Sequence, residues 1–137
     1  MNFQDCIDFA KKVHTCYIAT TEGDQPHVRP IGLLFADDRG FYFFTETVKA
    51  FHRQLQGNKK VELCFHGGDP SKVMRVTGQI EFVNDAEIKA QVMTRPFLKG
   101  LDNIVSVFRI ARGEAFFWTM ADTMKEAQLP RIKFGKA

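Results

Sequence analysis

The sequence predicts a mainly β protein, an antiparallel β-barrel with a few flanking helices. Seven short runs are rich in β-branched and aromatic residues, and turn-forming segments join most of them, as in hairpins. Fourteen of the 137 residues are Phe, which suits a β-rich core filled by aromatic rings or an interface with a second subunit. We expect one domain over residues 1–137, because a second core would be too small to stand alone. A closed or partly open barrel leaves few exposed strand edges, and a β-sandwich is the alternative architecture.

The first 45 residues predict a helix and three strands. The helix ends near His14, and its apolar residues recur at steps of three and four: they are Phe3, Cys6, Ile7, Ala10 and Val13. The predicted strands are 16–21, 27–36 and 41–45, separated by turn-forming residues at 22–26 and 37–40. Because both turns are short, we expect the three strands to form a meander.

The middle of the chain predicts a second helix and a second hairpin. Apolar residues at Val48, Phe51 and Leu55 have helical spacing, so we expect a helix over residues 47–56 that stops at Gly57. Two further strands are predicted at 61–66 and 72–83, and the Gly-, Asp- and Pro-containing segment 67–71 between them can continue neither.

The last third of the chain predicts one helix and the closing strands. Asn84 with Glu87 three residues later resembles a capping box, which would start a helix over residues 86–93. Two closing strands, 104–110 and 114–119, are expected around Arg112 and Gly113, and residues 131–134 could be extended.

Charge and cysteine content exclude several classes of function. The net charge of +3 comes from scattered Lys and Arg, so we expect no nucleic-acid partner. Three cysteines without a CxxC motif predict reduced, buried thiols, and the four histidines lack the spacing of a metal site. The first fifteen residues contain neither a signal peptide nor a membrane anchor, so we expect a cytoplasmic protein with no membrane partner.

The second predicted strand contains the most informative feature. Pro30 cannot donate a hydrogen bond to a neighbouring strand, and Gly32, on the same side, has no side chain to block an approaching ligand. This stretch of main chain would accept a flat ring docking edge-on, although a simple edge bulge would look the same in sequence.

Several cations could converge near this stretch and bind an anion. Lys49 is best placed, because it follows Thr45 and Thr47 where a strand meets a helix N-terminus, which itself attracts anions. Arg29, Arg53 and Arg75 are the other candidates, and each could equally be a solvated surface charge. Trp118, the one tryptophan, could cover a planar ligand or anchor the core or an interface.

In these segments the chain resembles the pyridoxamine 5′-phosphate oxidase-like family of FMN-binding split β-barrels, in particular its short bacterial members. The similarity runs nearly end to end through five motifs: Tyr17-Ile18-Ala19-Thr20-Thr21, the stretch from Gly23 to Pro30, Phe41-Tyr42-Phe43-Phe44-Thr45 leading to Lys49, the stretch from Asn58 to Leu63, and Met74-Arg75-Val76-Thr77-Gly78. Their order and spacing, rather than any single motif, make the resemblance specific.

The resemblance implies FMN bound between the two subunits of a homodimer. The residues it implies for the cofactor are Arg29, Pro30, Ile31, Gly32, Phe44, Thr45, Thr47, Lys49, Arg75, Trp118 and Arg131. The flavin edge would lie against residues 29–32 and the phosphate near Thr45, Lys49 and Arg75. Where longer family members have a C-terminal Arg-x-His for the substrate, this chain has Arg131-Ile132-Lys133, which argues against that exact substrate.

The function implied is a flavin-dependent oxidoreductase that acts on a small molecule, with NAD(P)H as a candidate partner, and needs no dedicated catalytic base. A protein that only binds FMN, as an electron carrier, store or sensor, is the alternative. A deazaflavin or haem in place of FMN also stays open. An oligonucleotide-binding barrel would suit the aromatic content but lacks a basic groove in sequence.

Overall fold

The computed structural model describes residues 1–67 and 71–135, and these form one antiparallel sheet with three α-helices. Residues 68–70 of the predicted 67–71 turn lie outside the described residues. The strands are β1 Thr15–Glu22, β2 Gln25–Gly32, β3 Phe35–Asp37, β4 Gly40–Glu46, β5 Lys60–Gly67, β6 Lys72–Val83, β7 Val105–Thr119 and β8 Ile132–Phe134. The helices are α1 Phe3–Val13, α2 Ala50–Gly57 and α3 Ala86–Val92, with short 3₁₀ helices at Pro96–Leu98, Met120–Asp122 and Glu126–Gln128.

The sheet follows the order β2-β1-β5-β6-β7-β4-β3, and β8 pairs with β7. Its two ends, β2 and β3, do not pair with each other in this order, so the sheet is an open barrel. This confirms the predicted mainly β, antiparallel split barrel with flanking helices. The expected meander is wrong, because β4 pairs with β3 and β7 rather than with β2.

The main hydrophobic core lies inside the curved sheet and draws on α1, α2 and most strands. Aromatic rings fill it as predicted: Phe41, Phe43, Phe65 and Phe108 are fully buried. Burying each such ring stabilises the fold by about 1.5–3 kcal/mol. A smaller cluster on the other face of β4 and β7 holds α3 through Ile88 and Val92. Both clusters together fix the curvature that positions the site described below.

The predicted strand 27–36 is in fact two strands that belong to opposite ends of the sheet. The Leu33 N–H donates to the His14 carbonyl at 2.8 Å, next to β1, whereas the Leu34 N–H donates to the Tyr42 carbonyl of β4 at 2.8 Å. The chain therefore crosses from one end of the sheet to the other within two residues. Both halves have strand-like composition, so local pattern could not reveal the crossing.

The two predicted strands 104–110 and 114–119 are also wrong, because β7 is one continuous strand of 15 residues. It pairs with β6 along its length, and a bulge at Ala111 shifts the register, since Gln79 pairs with Arg112 and Ile80 with Ile110. Gly113 faces Gly78 across the ladder and is not a hairpin turn. Gly113 lets the two strands approach each other closely. From sequence alone, a glycine in this role cannot be distinguished from a glycine in a turn.

Two helix starts differ from the prediction by a few residues. The Lys49 N–H donates to the Glu46 carbonyl at 3.1 Å, so residues 46–49 form a turn and α2 begins at Ala50 rather than residue 47. The cap of α3 is Asp85 rather than Asn84, because the Asp85 carboxylate accepts from the N–H groups of Glu87 and Ile88. The predicted N-terminal helix ending near His14 and the extended segment near 131–134 are both confirmed.

Gly113→Ala should destabilise the protein strongly. A Cβ at this position would lie 1.9 Å from the Thr77 carbonyl oxygen, which is backbone and cannot rotate away. Forcing the two strands apart should cost about 1–3 kcal/mol or more of unfolding free energy, measured by urea denaturation. Gly57→Ala is the control, because a Cβ there meets nothing within 4 Å. Equal stability of both variants would contradict the close-approach role of Gly113.

Candidate functional site

The buried polar residues of the described chain lie where α2 meets the sheet. They are Thr20 on β1, Thr45 on β4, and His52 and Gln54 on α2. The helix packs on the inner side of the barrel through Phe51 and Leu55, which belong to the main core. Because burying polar groups costs free energy, their concentration at one junction marks a site whose purpose is not stability alone.

The N-terminus of α2 differs from those of the other two helices. Its N-cap residue is Lys49, no side chain caps it, and its first turn contains no acidic residue. The other helices are both capped, α1 by an Asn2 and Asp5 capping box and α3 by Asp85. Among residues 1–67 and 71–135, no side chain therefore caps the first-turn N–H groups of α2, an arrangement that favours an anion.

Lys49, Thr47 and Thr45 lie at this helix start, as predicted. The Lys49 ammonium contacts the Glu46 carboxylate at 3.0 Å and is 58% exposed, so it can reach a ligand only by sharing or leaving that carboxylate. Thr47 is exposed, and its N–H donates to the Ile104 carbonyl at 2.7 Å. The buried Thr45 hydroxyl finds no hydrogen-bond partner within the described residues, which leaves a polar group open for a water or ligand atom.

Arg29 points to the inner side of the sheet, towards α2, and is held there. Its guanidinium donates to the Thr20 hydroxyl at 2.8 Å and to the Gln54 side-chain oxygen at 2.5 Å. It also lies over the Phe51 ring, with Cζ 4.5 Å from the ring centre. Partial burial lowers the pKa of Arg29 from its ordinary value, although it stays charged at neutral pH.

His52 and Ser106 form a second polar pair beneath α2 that sequence reasoning missed. The His52 Nε2 and Ser106 Oγ atoms are 3.2 Å apart, and Ser106 pairs with Thr45 across β4 and β7. Burial, aided by the charge of Lys59, lowers the pKa of His52, so the imidazole is neutral at pH 7. The pairing of β4 with β7 is non-local, so no sequence signal joins these residues.

Thr20 and Gln54 were also missed, and here a signal was available. Cys16, Ile18 and Thr20 alternate along β1, so the period of two places Thr20 on the buried face. Gln54 lies between Phe51 and Leu55 on the buried face of α2. Two uncharged polar residues at core positions were therefore visible as exceptions to the apolar pattern.

Other predicted residues lie on the opposite, outer face of the sheet. Pro30, Tyr17, Cys64, Arg75 and Phe116 form one row, because each is the register partner of the next across β2, β1, β5, β6 and β7. Tyr17, which lies in the row between Pro30 and Cys64, is half-exposed. Pro30 and Arg75 thus share a face but lie three strand spacings apart, about 14 Å at ~4.8 Å per spacing.

Arg75 is already engaged by carboxylates on this outer face. Its guanidinium contacts Glu62 at 2.6 Å and Glu126 at 2.7 Å. Arg131 stacks on the Phe116 ring, with Cζ 3.9 Å from the ring centre, beside Arg75 at 5.3 Å. Trp118, two residues beyond Phe116, faces the same way by strand alternation.

The predicted site residues therefore fall into groups that one chain does not bring together. Arg29 and Ile31 lie on the inner side of β2, and Thr45, Thr47 and Lys49 lie around the start of α2. Pro30, Gly32, Arg75, Trp118 and Arg131 lie on the outer face. Phe44 belongs to the smaller cluster, where Arg95 lies over its ring at 5.0 Å. Arg53, a weaker candidate, pairs with Glu22 at 2.7 Å.

The outer face also forms a groove of about 720 Å³. Its floor is the outer side of β1, β5, β6 and β7, and β8 forms one wall. Lys60, Arg112 and Lys133 line it together with Glu62 and Glu114, so both signs of charge are present. A groove of this size could accept a small ligand or a complementary protein surface.

The cysteines and histidines of the described residues suggest no separate centre. Burial raises the pKa of Cys16 to about 12 and that of Cys6 to about 11, so neither thiol ionises near neutral pH. Within residues 1–67 and 71–135, no three His, Cys, Asp or Glu side chains are grouped as metal ligands. The described helices include none that is long and apolar enough to cross a membrane.

Comparison with known proteins supports the interpretation of this fold. The family model described as pyridoxamine 5′-phosphate oxidase matches residues 4–126. The chain belongs to this family. A pyridoxine/pyridoxamine 5′-phosphate oxidase of Azorhizobium caulinodans is 42% identical over 82 residues, which are 59% of this chain and 39% of that protein. The chain thus matches well under half the length of this curated family member.

Solved structures of similar fold have varied descriptions. A NimC/NimA family protein from Clostridium acetobutylicum has a TM-score of 0.77 and 26% identity, over 96% of this chain and 92% of that one. A FAD-binding protein from Mesorhizobium loti has a TM-score of 0.67 and 18% identity, over 85% of this chain and 92% of that one. The haem storage protein HutZ from Vibrio cholerae has a TM-score of 0.65 and 16% identity, over 87% of this chain and 95% of that one. The last two show the fold alone.

Proposed function

We propose that this chain binds FMN and serves as a flavin-dependent oxidoreductase acting on a small molecule. The phosphate would be bound at the N-terminus of α2, and the flavin would lie along the edge strand β2. The observation that carries this proposal is the uncapped start of α2, with Lys49 at its N-cap, on a helix that contacts β1 beside that edge strand. Membership of the family supports it.

The residues at the start of α2 fit a phosphate group. A phosphate offers several strong acceptors, and the first-turn N–H groups, the Thr47 hydroxyl and the Lys49 ammonium are all donors. The absence of an acidic residue in the first turn removes the main source of repulsion. Glu46 is the exception, and its contact with Lys49 has to be weakened or shared when an anion binds.

The main chain of β2 fits the edge of a planar ring. It is an end strand of the sheet, so one side of its backbone has no strand partner. Pro30 and Gly32 keep its outer face free of long side chains. Bound FMN would supply hydride or electron transfer, while the protein supplies orientation and a polar environment. A dedicated catalytic base is not required for such a role.

Lys49→Ala should weaken FMN binding by about 1.5–3 kcal/mol, roughly 10- to 150-fold in the dissociation constant, because it removes a charge-assisted hydrogen bond. Quenching of FMN fluorescence on titration with protein measures this. Riboflavin, which lacks the phosphate, should bind both proteins equally. An absorption spectrum of the protein as purified tells flavin from deazaflavin or haem, and a colourless protein that does not quench FMN would reject the proposal.

Two matched variants control this experiment. Glu46→Gln should strengthen FMN binding by up to about 1 kcal/mol, because it frees Lys49 from a competing carboxylate. Lys99→Ala removes an exposed lysine far from α2 in sequence and should leave the dissociation constant unchanged. If Lys49→Ala and Lys99→Ala behave alike, the phosphate site is elsewhere.

The proposal includes a homodimer that completes the site. Lys49 and the start of α2 lie on the inner side, whereas Arg75, Trp118 and Arg131 lie on the outer face of the same sheet. A ligand that contacts both groups is most simply placed between two copies of the chain. The outer face also exposes Tyr17 and Val28, and its groove carries charges of both signs, as a self-complementary surface would.

Val28→Asp should convert the dimer to a monomer and weaken FMN binding at least tenfold. Val28 is 68% exposed, so the change does not disturb the core of the single chain, but in the proposed dimer each copy would bury an unpaired carboxylate in the interface. Light scattering after size-exclusion chromatography measures the mass. Phe97→Asp, at an equally exposed apolar residue of the Pro96–Leu98 helix, is the control and should remain dimeric. A wild-type monomer that binds FMN would refute the dimer.

Turnover separates the enzyme from a protein that only binds or carries its cofactor. We expect FMN-loaded protein to oxidise NAD(P)H steadily with a nitro, quinone or pyridoxal-type acceptor, followed as loss of absorbance. The small number of polar catalytic candidates in the described residues favours the alternative, a protein that only binds or carries its cofactor. Tight FMN binding with no turnover across that panel would support the carrier, store or sensor instead.

A further inference from the structure

His14 joins the N-terminal helix to β1 in a strained backbone conformation. It is the C-cap residue of α1, with φ 69° and ψ −55°, and its N–H donates to the Ala10 carbonyl at 2.8 Å. Glycine adopts such a conformation readily, whereas any side chain makes it strained. Strained residues often lie at ligand sites, so a histidine in this position points to a use for its imidazole.

The imidazole of His14 lies on the outer side of Gly32, the last residue of β2. A Cβ on Gly32 would be 3.1 Å from the Cε1 atom of His14 and 3.7 Å from its Nδ1 atom. Pro30, two residues earlier, shares this face of the strand. His14 as a whole is exposed. Gly32 therefore makes room for an imidazole that a ligand can still reach.

The backbone hydrogen bonds of β2 show which of its groups face the open edge of the sheet. The Leu33 N–H donates to the His14 carbonyl at 2.8 Å, so Leu33 faces β1. Because the facing direction alternates along a strand, the N–H and C=O of Gly32 and the C=O of Pro30 face away from β1. No strand of residues 1–67 and 71–135 pairs with that side of β2. The imidazole and this open edge therefore meet at Gly32.

We infer that the His14 imidazole contacts the planar ring docked along the edge of β2, and that residue 32 is glycine so that the imidazole fits there. This inference rests on the proposed function and adds a side chain to a docking edge otherwise made of main chain. A neutral imidazole has a flat face, one hydrogen-bond donor and one acceptor, which suit the polar edge of a heteroaromatic ring. Lys49 would bind the phosphate, whereas His14 would contact only the ring.

Flavin affinity separates a ring contact from a phosphate contact. His14→Gln keeps a polar side chain and the strained backbone but removes the imidazole, and His14→Gly removes both. We expect each variant to lower the affinities for FMN and for riboflavin at least fivefold and by the same factor, because both molecules share the ring. Lys49→Ala should affect FMN alone. His27→Gln, on β2 about 17 Å from Gly32, is the control and should bind both flavins like wild type.

Thermal melting separates a binding role of His14 from a structural one. His14→Gly should melt roughly 2–6 °C above His14→Gln, because glycine relieves the backbone strain and both variants lack the imidazole. The expected combination is thus a more stable protein that binds flavin less well. A His14→Gly variant that binds both flavins like wild type would overturn the inference, whatever its melting temperature.

A double-variant cycle tests the role of Gly32. Gly32→Ala should push the imidazole aside, because the new Cβ would lie 3.1 Å from the His14 Cε1 atom, and should lower riboflavin affinity at least threefold. In the His14→Gly background the same change should cause no further loss, since no imidazole is left to displace. Losses that add in full would contradict the proposed reason for a glycine at this position.

An NMR titration of the wild-type protein depends on no variant that has to fold. The His14 ring Cε1–H signal should shift on addition of riboflavin or FMN but not of inorganic phosphate, while the His27 signal stays in place. If fluorescence quenching shows that both flavins bind and the His14 signal does not move, only this inference fails. If the wild type binds neither flavin, the proposed function fails and this inference fails with it.

Discussion

The open barrel depends on the two-residue crossing at Leu33 and Leu34. Adjacent N–H groups there bond to opposite ends of the sheet, one beside β1 and one on β4, so the ends are tethered without being paired. The helix α2 contacts both β1 and β4 and buries Phe51 and Leu55 in the main core. A helix in this position presents free N–H groups at its start, whereas a ladder strand would use them in pairing. The incomplete closure thus creates the candidate site.

The polar residues beneath α2 are a compromise between stability and function. A helix that only plugged the barrel could be apolar on its buried face, yet Gln54 and His52 are buried there, opposite Thr20 and Ser106. The hydrogen bonds of Gln54 and His52 offset most of the cost of burying these groups. The Thr45 hydroxyl has no hydrogen-bond partner within the described residues, so its desolvation cost is not offset. Directional hydrogen bonds also fix the helix in one orientation, which apolar packing alone specifies less well.

The sequence predicted the structural elements that depend on neighbouring residues. It did not predict the features that depend on pairing between distant segments of the chain. The helical spacing from Phe3 to Val13 and the turn at residues 37–40 are local, and both predictions hold. The order of strands, the continuity of β7 through Gly113 and the pairing of Thr45 with Ser106 depend on register between segments far apart in the chain. Strand alternation places the Arg29 side chain on the face of β2 opposite that of Pro30, so within one chain the predicted cations lie on two faces of the sheet.

The candidate site residues lie on two faces of the sheet, and the similarity to family members does not extend to their substrate. The two proposed binding features, a helix start for an anion and a bare strand edge for a ring, would contact a cofactor rather than a substrate. The curated relative is matched over only 39% of its length, so its substrate does not carry over with the fold. Arg75 is occupied by Glu62 and Glu126, and a second anion on the outer face would have to displace one of them. In the proposed dimer, substrate choice would therefore depend on this outer face and on the copy that covers it, rather than on the inner residues that pack α2 against the sheet.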